Sequence, residues 1–188
     1  MIASAHDGKG PGIGPVRLLF LYKPNRKRGS ARRTGMSEPS DSLRIAKEAF
    51  GDIQARFPGL QMIEDHSAPV ELSVNIPVQP GVLYPINLNL QNRDELHFSV
   101  GNFWLAWFPC ANTERVAAFV DAVSGFLAGR YRILEHYRGR RCVKAELQKQ
   151  ENDGRWSTFG TRSRLSLPGP WQQRYVVLIN QAPPAPPR

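Results

Sequence analysis

Cys110 is the residue best suited by type to covalent chemistry in this chain. It follows Pro109 and lies just before Asn112 and Thr113, which read as the cap of a helix. A helix N-terminus lowers a thiol pKa through its unsatisfied N–H groups, so this position favours a thiolate. Paired with His97 or His136, Cys110 would make a nucleophile and base. No sequence motif surrounds it, however, and a buried structural cysteine is the simpler reading. Cys142 sits in a strand-like stretch and reads the same way.

Other chemistries find less support. His6, His66, His97 and His136 are dozens of residues apart, with no helical i,i+4 pair and no CxxC, so no metal centre is expected. In Glu64-Asp65-His66 and Glu135-His136, adjacent strand residues point to opposite faces, so the neighbours do not form ready acid–base pairs. Gly8 to Gly12 lacks the spacing of a phosphate loop, and Gly154 to Gly160 carries no dinucleotide fingerprint. No cofactor is expected, and the balance leans away from an enzyme.

Two clusters suit binding instead. Arg130, Arg132, Arg138, Arg140, Arg141 and Lys144 surround a hairpin centred on Gly139, interleaved with Tyr131 and Tyr137. Strand alternation puts Arg132, His136 and Arg138 on one face and Tyr131, Glu135 and Tyr137 on the other. Basic residues among aromatics suit single-stranded nucleic acid or an acidic protein surface, although charge on a hairpin edge also blocks edge-to-edge pairing. The second cluster is Phe103-Trp104-Leu105-Ala106-Trp107-Phe108, where Trp104 and Trp107 fall on opposite faces. It reads as a strand covered on both sides, or else as an aromatic docking patch.

The elements that position these residues are legible. Ser40 or Asp41 caps a helix to about Phe57, with Leu43, Ala46, Ala49, Phe50, Ile53 and Phe57 at helical spacing and Pro58-Gly59 as its stop. Strands are predicted over Leu60 to Asp65, Glu71 to Val78, Tyr84 to Gln91 and Glu95 to Phe108. Their polar positions Ser73, Asn75, Asn87, Asn89, His97 and Ser99 form a second face that could supply hydrogen bonds. A second helix carries Val116, Phe119, Val120, Val123, Phe126 and Leu127 and ends at Gly129. Strands over Tyr131 to Arg138, Arg141 to Lys149, Trp156 to Phe159 and Arg174 to Asn180 follow. Short turns imply antiparallel pairing, hence an α+β fold with both helices on one sheet face, in the order α-β(3–4)-α-β(3–4). The stretches Gln61 to His66 and Arg132 to His136 echo each other weakly, which raises a duplicated unit as an expectation.

The 188 residues suit one domain with a real core. It is expected over 39–181, after a disordered basic leader at 1–38 and before a Pro-rich tail at 182–188; Met36 is an alternative start. Residues 1–35 hold eight basic residues and one acid, residues 36–110 four and nine, and residues 111–188 thirteen and six. The net charge of +9 is therefore mostly the leader's, and the folded part is dipolar more than basic. No apolar run reaches the roughly 18 residues of a membrane span. Two cysteines make no disulfide framework, and the cytoplasm is the expected compartment. The expectation is a soluble binding protein whose partner is another protein, in an inhibitor- or immunity-like role, with nucleic acid as the less favoured partner. Its contact residues would be Tyr131, Arg132, His136, Tyr137, Arg138, Arg140, Arg141, Lys144, Trp104 and Trp107. The competing readings are a cysteine-dependent enzyme using Cys110 with His97, and a nucleic-acid-binding module using the Arg130 to Lys144 hairpin.

Overall fold

A computed structural model describes residues 39–165 and 172–183. The expected leader and the end of the Pro-rich tail lie outside the described residues. Helix α1 (Pro39–Arg56) is followed by β1 (Ile63–Glu64), β2 (Leu72–Ile76), β3 (Ile86–Gln91), β4 (Glu95–Val100) and β5 (Phe103–Trp107). Helix α2 (Thr113–Leu127) then leads to β6 (Tyr131–Arg138), β7 (Arg141–Gln150), β8 (Trp156–Ser163) and β9 (Gln173–Leu178). The class is α+β, and every strand pairing is antiparallel. The strands divide between two sheets, ordered β1-β2-β3-β4-β5 and β8-β7-β6-β9.

The first group holds five strands because the stretch expected as one strand, Glu95 to Phe108, folds back on itself. Val100 pairs with Phe103 across the two-residue turn Gly101-Asn102, and Gly101 takes the positive φ (+56°) that such a turn demands. The apolar run on either side concealed that turn signal. Leu60 to Asp65 contributes only the two residues of β1, while β8 runs on to Ser163, past the expected end at Phe159. The second group is not a copy of the first. β1 to β5 form a simple meander, whereas β9 returns to the free side of β6.

Each sheet buries the face its sequence alternation selects. Leu72, Val74, Ile76, Ile86, Leu88, Leu90, Leu96, Phe98 and Val100 form the core side of the first sheet. Helix α1 contributes Ala46, Ala49, Phe50 and Ile53. Helix α2 is apolar enough to serve both sheets. Phe119 meets Trp107 edge-on at 5.5 Å and Phe50 at 5.9 Å, and Phe126 meets Phe98 at 5.7 Å. The cap of α2 forms as its sequence requires, with Asn112 Oδ1 accepting from the Arg115 N–H at 3.1 Å.

The far side of α2 packs on β6. A Cβ built on Gly125 would lie 2.1 Å from the Tyr131 ring, so only glycine leaves room for that ring against the helix. The Tyr131 hydroxyl donates to Asp121 Oδ2 at 2.8 Å, tying strand to helix. The sheets also meet at their edges: a Cβ on Gly160 of β8 would lie 2.8 Å from Leu105 Cδ2 of β5. Asn180, buried just past β9, accepts from the N–H groups of Leu83 and Tyr84 at 2.8 and 3.0 Å. The end of the second sheet is thereby fastened to the β2–β3 connection.

Candidate functional site

The structure separates the thiol from the imidazoles. Cys110 is 1% exposed within the apolar core, and both cysteines are free. His97 points to the opposite, polar face of the first sheet. There Gln91 Nε2 donates to its Nδ1 at 2.7 Å, and its Nε2–H donates to Glu95 Oε2 at 3.0 Å. Both nitrogens are engaged on this face, away from the thiol in the core, and the Cys110–His97 dyad is not formed. Burial holds the imidazole pKa below its usual value, although Glu95 pulls the other way. Burial likewise pushes the Cys142 thiol up, away from the reactive thiolate. Among the described residues, no cluster of His, Cys, Asp or Glu is arranged to hold a metal ion.

The polar face around His97 is cross-linked within itself. Asn87 Nδ2 donates to Asn75 Oδ1 at 2.8 Å, and Asn89 Nδ2 donates to Asn87 Oδ1. Trp104, 38% exposed, lies between His97, stacked at 5.7 Å, and the Arg162 guanidinium at 4.5 Å. Trp107 is 4% exposed and Tyr131 is 1% exposed, so neither presents a surface to a partner. Trp107 sits at the core-facing position opposite Leu96, and Tyr131 is claimed by Gly125 and Asp121 of α2. Tyr137 also turns inward. Its hydroxyl donates to Glu135 Oε2 at 2.7 Å, and burial, with that carboxylate, pushes its pKa up to about 12.

The remaining candidates are brought together on the outward face of the second sheet. The register aligns Arg132 with Gln148, Leu134 with Glu146 and His136 with Lys144, and β9 adds Val177 beside Leu134 and Tyr175 beside His136. Glu146 is the hub. It is 7% exposed, paired with Lys144 and with His136 Nε2 at 3.1 Å, and Gln148 Nε2 donates to it at 3.4 Å. Burial opposes the Glu146 charge, but the bonds from Lys144 and His136 outweigh it and hold the carboxyl below its usual pKa.

Aromatic rings flank this hub. The Arg132 guanidinium lies over Trp156 at 4.2 Å, and the His136 ring meets Tyr175 edge-on at 5.1 Å. Tyr175 and Val177 are 58% and 41% exposed. Arg138 lies at the end of β6, and Arg140 and Arg141 are exposed at the hairpin tip. Sequence reasoning missed Trp156, Tyr175 and Val177, because the strands carrying them come beside β6 and β7 only through tertiary pairing. No protein family, curated protein or solved structure matches the chain.

Proposed function

We propose that the chain is a non-catalytic binding protein of the cytoplasm that engages a protein partner through the outward face of its second sheet. The observation behind this reading is the arrangement around Glu146: two cation or imidazole groups held against aromatic rings, beside exposed Tyr175 and Val177. Arg, Trp and Tyr are the side chains that most often dominate protein interfaces, and here their partners already limit their rotamers. Ordering these side chains in the free protein lowers the entropy lost on association. An inhibitor- or immunity-type role fits such a face. Buried free thiols suit a reducing compartment.

The exposed Arg140 and Arg141 favour the competing nucleic-acid reading, and one experiment separates the two. Capture from nuclease-treated lysate with the full chain is compared with Arg132→Ala/Trp156→Ala and Arg140→Glu/Arg141→Glu. A protein that survives nuclease and is lost only with the first pair supports the proposal. Capture that depends on nucleic acid and fails with the second pair overturns it.

A further inference from the structure

At the hairpin end of the second sheet the strands open into a cleft of about 340 Å³. It follows the row in which His136 of β6, Lys144 of β7 and Ser163 of β8 lie side by side, with Tyr175 of β9 next to His136. Val143 is the extra residue of the bulge in β7, and its carbonyl accepts from the Arg164 N–H at 2.9 Å. Arg138 and Arg164 line the cleft from either side of β7. β6 and β8 are two strand spacings apart, about 10 Å, a gap that two arginine side chains close on one anion.

The chain supplies no counter-charge for these two arginines. Strands β6 to β9 carry two acids, Glu135 and Glu146. Glu135 turns inward, where its oxygens accept from Asn102 and Tyr137. One oxygen of Glu146 pairs with Lys144, and the other accepts from His136 and Gln148. From Gly154 to the C-terminus the sequence has no Asp or Glu at all. Among the described residues, neither Arg138 nor Arg164 is paired with a carboxylate. Arg162, which lines an adjoining recess with Arg164 and Lys144, keeps a buried Nε–H without an acceptor. A solitary surface arginine is simply solvated, but like charges facing one cleft reinforce each other's potential and concentrate anions there.

We propose that this cleft binds an aromatic phosphate monoester, with the phosphate between Arg138 and Arg164 and the ring against Tyr175. A monoester carries about −1.5 to −2 charges near neutral pH, which matches the two uncompensated cations. Each guanidinium fork takes two phosphate oxygens, and the Ser163 hydroxyl and Gln173 amide line the same cleft as further donors. A bare phosphate leaves most of the volume empty. Val143, Leu165 and the exposed Tyr175 ring give the remainder an apolar lining that suits a flat ring. A nucleic-acid phosphodiester offers one charge per phosphate and matches the pair less well. The monoester arrives on a free small molecule or on a protein's tyrosyl side chain, so the site does not require the protein-partner reading above.

The test titrates the full chain with phenyl phosphate, phenyl sulfate, inorganic phosphate, a phosphotyrosyl peptide and an oligothymidylate, read by amide NMR shifts and calorimetry. Phenyl phosphate should bind and shift the amides of Arg138, Lys144, Ser163, Arg164 and Tyr175. Arg138→Gln and Arg164→Gln should each weaken it about tenfold or more. Arg155→Gln, whose partner Asp153 lies in the β7–β8 turn, should leave it unchanged. The wild-type comparison with phenyl sulfate, a monoanion of the same shape, tests the charge match without any substitution. Equal binding of the sulfate overturns the dianion assignment, and equal binding of inorganic phosphate overturns the ring assignment. Failure of every phosphate probe at millimolar concentration overturns the site while leaving a protein partner on the same sheet face standing. Tighter binding of the oligothymidylate at the same amides also overturns the site, in favour of nucleic acid. Tighter binding of the peptide than of phenyl phosphate supports the site and assigns its ligand to a protein, and the reverse order supports it and assigns a small molecule.

Discussion

The backbone N–H of Asn102, in the β4–β5 turn of the first sheet, donates to Glu135 Oε1 of the second sheet at 2.6 Å. The Asn102 side-chain amide reaches the same oxygen at 3.1 Å, and the Tyr137 hydroxyl takes the other at 2.7 Å. Glu135 is 3% exposed, so this carboxylate joins the two sheets where water does not compete. Glu135→Ala removes the acceptor of three partly buried donors, the Asn102 N–H, the Asn102 amide and the Tyr137 hydroxyl, and should cost about 2–4 kcal/mol by urea denaturation. Glu135→Gln keeps the shape and one acceptor and should cost less than half as much. Equal loss from both would show that the carboxylate charge, and not packing or a single acceptor, makes this joint.

Two helical glycines should respond to alanine in opposite directions. Gly125 is occupied by the Tyr131 ring, and Gly125→Ala should destabilise by about 1–3 kcal/mol through overpacking. A Cβ at Gly51 in α1 meets nothing within 4 Å, and Gly51→Ala should stabilise by about 0.5–1 kcal/mol through helix propensity. Thermal melts of the two variants check both signs.

His97 makes stability depend on mild acid. Its folded pKa lies below the usual 6.5, so the unfolded chain binds more protons just below that pH. Stability is fully present above about pH 6.5 and falls as pH drops towards the folded value. His97→Gln should flatten this slope in urea midpoints taken between about pH 7.5 and about pH 5.5. Glu146, also lowered, acts in a separate window: its contribution is present above its usual 4.5 and is lost as pH falls through the folded value. A wild-type midpoint that stays flat across pH 6.5 would exclude the His97 effect.

Both thiols should resist alkylation near neutral pH until the chain unfolds. Cys110 is 1% and Cys142 is 7% exposed, and burial keeps the Cys142 thiol protonated. Labelling of the native protein should follow the rate of opening and accelerate sharply with urea. Rapid labelling of Cys110 in native buffer would restore the cysteine-enzyme reading.

The residue patterns alone determined the α+β class, both helices and the alternation of most strands, because burial periodicity is a local property. Leu72, Val74 and Ile76 face the core as their spacing of two requires, and Phe119, Val123 and Phe126 do so at helical spacing. The placing of Arg132 and His136 on one face was also legible, since alternation within one strand settles it, whereas the bulge between His136 and Tyr137 is what brings Lys144 to that face. Other features were not written locally. The apolar run at Phe103 hid the Gly101-Asn102 reversal, whose anchor, Glu135, is thirty-three residues away. Tyr131 looked like part of a basic surface until Gly125 and Asp121 claimed it. Trp156, Tyr175 and Val177 joined the outward face only when β8 and β9 took their places beside β7 and β6. Periodicity says which side of a strand is buried; which strands become neighbours, and so which side chains meet, is decided by packing across the whole chain.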